Sequence, residues 1–339
     1  MTIQVYHEPC EVRAVKELPR TYHIIATDVP FNTSEVVRSS LVFNEKWDTG
    51  WSPLSYFGIA KKLLVPGGWN IAKTGDRTFG IIRDIFSQDH STTRGYLDWL
   101  LKINVLGTDG YEEAMCNLPR VCANMPDFEM KATLTWFKKS GVHSTRKATY
   151  RSLCEWFLVF KRLDEFGKSV TPPAWNFKSQ GGMVNHIECV PCGPSEKLYW
   201  HLRDPEEVDG ELRGSIVPCH DKNGCDICAQ AKKLGHEPGK NLNQTPIELQ
   251  RRSHPTQTPL YIWRWLFERH CRQGMKLFDP YCGLFGDGIV AKEFGMDAVG
   301  TDSCWEYARV AQMRIAGEWP IPQPESGVEQ LSYLDDTDA

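Results

Sequence analysis

The stretch Met275–Asp302, MKLFDPYCGLFGDGIVAKEFGMDAVGTD, decides the fold. Met275 to Phe278 reads as a short apolar strand, and a glycine-bearing turn runs from Asp279 to Gly288. A helix over Ile289 to Phe294 and a second strand at Ala298-Val299-Gly300 follow. Strand, turn, helix and strand make the βαβ unit of a mostly parallel sheet. In such sheets nucleotide-like ligands bind at the C-terminal strand ends, where glycine admits close backbone approach. An acid at the end of the second strand, here Asp302, can accept hydrogen bonds from ribose hydroxyls. The glycine spacing departs from G-x-G-x-x-G, which weighs against a dinucleotide.

Working outward, the spacing predicts helices over Leu260 to Cys271 and Trp305 to Ile315. A further α/β segment runs from Tyr22 to Phe86. Its strand His23-Ile24-Ile25-Ala26 stops at Thr27-Asp28-Val29-Pro30, its helix spans Tyr56 to Leu64, and its next strand is Trp69-Asn70-Ile71-Ala72. Ala132 to Phe137 and Trp156 to Phe160 are strand-like and flank a basic loop. The fold class is therefore α/β. The expected domains are a core half over residues 1–163, with an added partly helical element at 87–130, and a small Pro-, Gly- and Cys-rich insertion at 164–245. A second core half at 246–322 and an acidic tail at 323–339 complete the chain.

The chain has 339 residues, of which 41% are hydrophobic, enough for one large domain with insertions or two modest ones. It contains no apolar run near the roughly 18 residues that a membrane span requires, and no signal-peptide core. A soluble cytoplasmic protein is expected. The net charge of −4 hides an uneven distribution. Lys131, Lys138, Lys139, Arg146, Lys147, Arg151, Lys161, Arg162, Lys168 and Lys178 are opposed in their stretch only by Glu155, Asp164 and Glu165. Such a stretch is either a solvated face or a nucleic-acid contact.

Several motifs, taken in order, carry a resemblance. Thr27-Asp28-Val29-Pro30-Phe31-Asn32-Thr33 looks like the D-P-P-Y motif of the β-class amino-methylating DNA methyltransferases. Phe43-Asn44-Glu45-Lys46-Trp47-Asp48, Leu63-Leu64-Val65-Pro66-Gly67-Gly68, Trp136-Phe137-Lys138-Lys139 and Glu155 to Phe160 follow as in that family. His254-Pro255-Thr256-Gln257-Thr258-Pro259 is similar to its H-P-T-Q-K-P element, and Phe278 to Gly283 resembles its D-P-F-x-G turn. The order, acceptor motif first and cofactor motif last, is that of the β-class.

The resemblance implies a circularly permuted, Rossmann-like class I methyltransferase sheet with S-adenosylmethionine as cofactor. It implies double-stranded DNA as partner, allows a homodimer, and would place the enzyme at the nucleoid. Asp279, Pro280, Tyr281, Gly283, Asp302, His254 and Thr256 would hold the cofactor. Asp28 and the Val29 carbonyl, held by Pro30, would accept the two hydrogens of an exocyclic base amino group. Phe31 would stack on that base once it is flipped out of the duplex. Lys138, Lys139, Arg146, Lys147 and Arg151 would contact DNA.

An Asp-led motif leans to adenine N6; cytosine N4 is the alternative, and RNA or a catalytically silent DNA-binding homologue are others. A cytosine-C5 mechanism is excluded because its Pro-Cys nucleophile follows an N-terminal cofactor motif. Two departures stand out. Thr258 replaces a lysine, and Leu284-Phe285-Gly286-Asp287 replaces a small S-G-T-T run, which sets two bulky side chains beside the methionine end of the cofactor.

Cys189-x2-Cys192 and Cys225-x2-Cys228 form two C-x-x-C pairs separated by 32 residues. Four such thiolates suit a structural tetrahedral zinc, with Cys219 as an alternative ligand. Unpaired thiols in a reducing compartment are the other reading. A Pro- and Gly-rich segment with little core favours the staple.

Overall fold

The computed structural model describes residues 1–30, 52–87, 127–138, 154–177, 179, 183–189, 197–219, 225–236, 245–254 and 257–319. Phe31, Lys139, Arg146, Lys147, Arg151, Cys192, Thr256, the tail 323–339 and nearly all of the expected helical element at 87–130 lie outside them.

The chain begins with β1 (Ile3–His7), α1 (Cys10–Lys16) and β2 (Tyr22–Asp28). Next come α2 (Pro53–Leu63), β3 (Leu64–Thr74), α3 (Asp76–Phe86), β4 (Phe128–Lys138), β5 (Cys154–Arg162) and β6 (His186–Cys189). β7 (Tyr199–Val208), β8 (Glu211–Pro218), α4 (Asp226–Lys233) and β9 (Arg252–Ser253) follow. α5 (Leu260–His270), β10 (Lys276–Asp279), α6 (Gly286–Glu293), β11 (Asp297–Asp302) and α7 (Trp305–Ala316) close the described fold.

Among the described residues eight strands form one sheet in the order β1-β11-β10-β2-β3-β5-β4-β6. Only β5 runs against the rest, antiparallel to both β3 and β4. β10, late in the chain, lies at the sheet centre beside β2, with Leu277 opposite Ile24 and Phe278 opposite Ile25. The turns after Asp28 and Asp279 therefore leave the sheet side by side, where parallel α/β sheets bind their ligands.

The two faces follow from the period of two along the central strands. Ile24, Ala26, Ile71, Phe157 and Val159 meet Ile262, Trp263 and Leu266 of α5 and Ile289 and Val290 of α6. Ile25, Ala72, Leu158, Phe160 and Phe278 meet Tyr56 and Phe57 of α2 and Ile82 and Phe86 of α3. Burial on both sides explains why β2 reads as a continuous apolar run. α2 starts where Ser52 accepts a hydrogen bond from the Ser55 backbone at 3.3 Å and Pro53 occupies the first turn.

The N-terminal edge is an addition to the sequence reading. β1 pairs with β11 from Ile3–Ala298 to His7–Asp302, and its five residues are too few for periodicity to reveal. Residues 164–245 divide between two sheets. Ala174 accepts a hydrogen bond from Trp69 Nε1 at 2.7 Å, and β6 extends the large sheet beside β4. β8, β7 and β9 form a separate three-stranded sheet. It packs Trp200, Leu202 and Ile216 against Leu284 and against Tyr307, Val310 and Met313 of α7.

Candidate active site

Asp28 ends β2, directly opposite Lys73 on β3. Lys73 Nζ donates to Asp28 Oδ2 at 2.5 Å and lies 2.9 Å from Glu155 Oε2 of β5. Glu155 Oε1 takes the ammonium of Lys138. Thr258 Oγ1 donates to Asp28 Oδ2 at 3.0 Å, so the residue that replaces the resembled family's lysine touches the acceptor carboxylate. Two ammoniums and two carboxylates thus balance in a nearly dry space; the Lys73 side chain is 1% exposed and that of Asp28 22%.

Burial raises the Asp28 carboxyl above its usual value, with Lys73 pulling against it and Glu155 adding to it. Burial would lower Lys73, but Asp28 and Glu155 outweigh it and hold the ammonium charged. Burial would raise Glu155, but Lys73 and Lys138 outweigh that and hold it ionised. Val29 donates its N–H to the Lys73 carbonyl at 3.1 Å and buries its side chain, and Pro30 is buried next to it.

On the neighbouring strand end, Asp279 is 2% exposed and accepts from Tyr281 N at 3.0 Å. Burial pushes its carboxyl up to about 7, and buried Asp287 beside it is raised well above the usual range. Gly283 has φ +49°, and a Cβ there would stand 3.0 Å from His254 Nε2. Asp302 closes the turn by accepting from Gly283 N and Cys304 N, both at 2.8 Å. His254 packs against Tyr307 with the rings tilted and their centroids 4.6 Å apart, and burial pushes its imidazole down to about 3, leaving it neutral. Pro280 accepts from the Thr301 hydroxyl at 3.0 Å, tying the two βα turns together.

The bulky pair Leu284-Phe285 does not sit as the substitution suggested. Phe285 takes a left-handed backbone (φ +52°) and is fully buried in the layer between the sheet and α5 and α6. A Cβ on Gly288 would lie 2.3 Å from its ring and one on Gly300 2.8 Å, so those glycines make its space. Leu284 is buried against the small sheet. Neither side chain faces open space above the strand ends.

Part of the basic stretch is paired with acids. Lys138 is drawn to Glu155, Arg162 pairs with Asp127 at 3.0 Å, and Lys161 lies 3.5 Å from Glu129. Asp127 and Glu129 precede the stretch and neutralise part of it. Of the expected metal ligands, Cys225, Cys228 and Cys219 converge. Cys189 sits opposite Lys138 on the edge of the large sheet, outside that group.

Lys73 was not singled out by sequence reasoning, and Glu155 was named without a role beside Asp28. The available signal was a lysine inside the apolar strand Trp69–Thr74, because a buried charge must be paired.

The DNA methylase family model matches residues 22–313. The chain belongs to this N6/N4 DNA methylase family. The type II methyltransferase M2.DpnII of Streptococcus pneumoniae is 34% identical over 65 residues, 19% of this chain and 24% of that protein. M2.LlaDCHI of Lactococcus lactis subsp. cremoris is 36% identical over 62 residues, 18% and 23% of the two chains. The matches thus span about a quarter of these methylases' length. Among solved structures, the M1.HpyAVI–SAM complex is 16% identical with a TM-score of 0.44, over 92% of this chain and 100% of that one. The cytosine-N4-specific PvuII DNA methyltransferase is 11% identical with a TM-score of 0.48, over 93% and 86%.

Proposed function

We propose that this DNA methylase family member transfers a methyl group from S-adenosylmethionine to the exocyclic amino group of a base flipped out of duplex DNA, adenine N6 first. The observation that carries the reading is the emergence of the Asp28 and Asp279 turns from adjacent parallel strands, with Asp28 held by Lys73 and Thr258. Among the described residues no helix is long and apolar enough to cross a membrane. A cytoplasmic enzyme working on the nucleoid fits the reading.

The donor set suits the cofactor. A Cβ on Gly283 would crowd the turn beside the neutral His254, and Asp302, which ends β11 and bonds Gly283 N, would take the ribose hydroxyls. Bound there, the cofactor supplies a sulfonium methyl as electrophile. Leu284 and Phe285 are packed elsewhere, which supports retained activity.

An exocyclic amino nitrogen is a weak nucleophile because its lone pair is delocalised into the ring. Among the described residues, Lys73 and Thr258 both bond Asp28 through Oδ2, and Oδ1 would accept one amino hydrogen. The Val29 carbonyl accepts the other, and Phe31 stacks on the base. The lone pair then turns toward the methyl group. When the nitrogen takes the methyl group that the bound cofactor would supply, it must lose a proton, and Asp28 would accept it. Rate comes from alignment and preset charge, with no covalent enzyme intermediate.

The test is incubation of the full chain with labelled S-adenosylmethionine and unmethylated genomic DNA, followed by mass spectrometry of the nucleosides. N6-methyladenine is expected. N4-methylcytosine would correct the base, and label in RNA but not DNA would overturn the substrate.

A further inference from the structure

His201, Cys219, Cys225 and Cys228 bring one ligand atom each to a single point, all within 4.8 Å of one another. We propose that they form a structural tetrahedral zinc site of three thiolates and one imidazole, which fastens the small sheet to α4. The site rests on these residues alone and not on the methyl-transfer reading.

Three observations support it. First, the distances fit a metal that is tetrahedrally bound. Zinc–sulfur bonds of about 2.3 Å and zinc–nitrogen bonds of about 2.0 Å put two sulfurs about 3.8 Å apart, and sulfur and nitrogen about 3.5 Å apart. Cys219 Sγ and Cys228 Sγ are 3.7 Å apart, and Cys228 Sγ is 3.4 Å from His201 Nε2. A disulfide would need about 2.0 Å between sulfurs.

Second, the imidazole is set in the metal-binding tautomer. His201 Nδ1 lies 2.8 Å from the Gln250 carbonyl, which can only accept, so Nδ1 carries the proton. The lone pair of Nε2 then faces the thiols, the arrangement of most metal-bound histidines. His201 and Cys228 are fully buried, Cys219 is 5% exposed and Cys225 is half-buried, so three of the four donors are shielded from solvent.

Third, the ligands come from two separate pieces, the β7–β8 hairpin and the start of α4. His201 is on β7, Cys219 follows β8, and Cys225 and Cys228 lie at the start of α4. The Cys219 N–H bonds the Tyr199 carbonyl at 2.8 Å, and Cys225 is the N-cap residue of α4, its thiol making no capping hydrogen bond, which suits that thiol to a metal. β7 also carries Trp200, whose indole donates to Glu306 of α7. The metal would fasten α4 to a small sheet that Trp200 in turn joins to the cofactor half.

The experiment is metal analysis of the tag-free full chain, purified without added metal, beside Cys228→Ser, His201→Gln and Cys189→Ser. About one zinc per chain is expected in the wild type and in Cys189→Ser, with at least a tenfold loss in the other two. Because those two variants could misfold, cobalt is exchanged into the wild type, where a thiolate-to-cobalt charge-transfer band and intense tetrahedral d–d bands are expected. A metal-free wild type, zinc lost with Cys189, absent thiolate–cobalt bands, or a Cys219–Cys228 disulfide in the native protein would each overturn the site. No readout needs cofactor or DNA, so failure here is separable from failure of the methyl-transfer reading.

Discussion

Lys73 and Asp28 face each other across adjacent parallel strands, Nζ to Oδ2 at 2.5 Å, and the same ammonium binds Glu155 at 2.9 Å. The acceptor carboxylate thus belongs to a four-residue charge network completed by Lys138. Such a network needs every member, because removing one partner leaves a buried charge uncompensated.

Lys73→Met should therefore be costly, by about 3–5 kcal/mol in chemical denaturation. It should also shift the acid limb of the pH–rate profile upward, since Asp28 is already raised by burial and Lys73 is what opposes this. Adding Glu155→Gln should not recover the loss, because Glu155 still holds Lys138 in the single variant. A Lys73→Met protein of wild-type stability and unchanged acid limb would show that the network carries no weight.

Asp279 gives the fold a pH dependence of definite sign. Its folded-state carboxyl lies at about 7 against 3.8 for the free group, chiefly through burial. The acid form therefore stabilises the fold; that contribution is complete below about pH 4 and is lost as pH rises through about 7. Asp279→Asn keeps an acceptor for the Tyr281 N–H without the titrating proton. Its stability relative to wild type should climb between pH 4 and pH 8 in urea titrations. A flat difference would place the titration elsewhere.

The Phe285 ring fills space that Gly300 leaves. A Cβ on Gly300 would stand 2.8 Å from that ring and 2.9 Å from Cys282 Cβ, both held in the buried layer. Gly300→Ala should destabilise by about 1–3 kcal/mol, and Phe285→Leu in the same chain should restore some of it. Equal and additive losses in the double variant would mean that the two positions are independent.

The central fold was legible because its signals are local. Met275–Asp302 contains the turn, the glycines and the terminal acid that a βαβ unit requires, and α6 and β11 lie where the stretch placed them, with α6 opening earlier at Gly286. The central strands β2 and β3 were readable from burial on both faces, although β3 starts earlier, at Leu64. The partners across sequence were not readable. Lys73 meets Glu155, 82 positions on, only because β3 pairs with β5. His201 joins Cys225 and Cys228 only because the β7–β8 hairpin closes beside α4. The C-x-x-C spacing named two of those ligands, but a lone histidine within a strand gives no spacing to read. Leu284 and Phe285 were misplaced because a left-handed residue at 285 turns the ring inward, and a substitution pattern does not show side-chain direction.

The most direct test of the account is single-turnover methyl transfer to duplex DNA by Asp28→Asn, measured beside its S-adenosylmethionine affinity. Asparagine keeps the shape and removes the charge that accepts the amino hydrogen. The rate should fall by roughly 10²- to 10⁴-fold while cofactor affinity stays within about threefold of wild type. A variant that methylates DNA at the wild-type rate would contradict the assignment of Asp28 as the acceptor carboxylate.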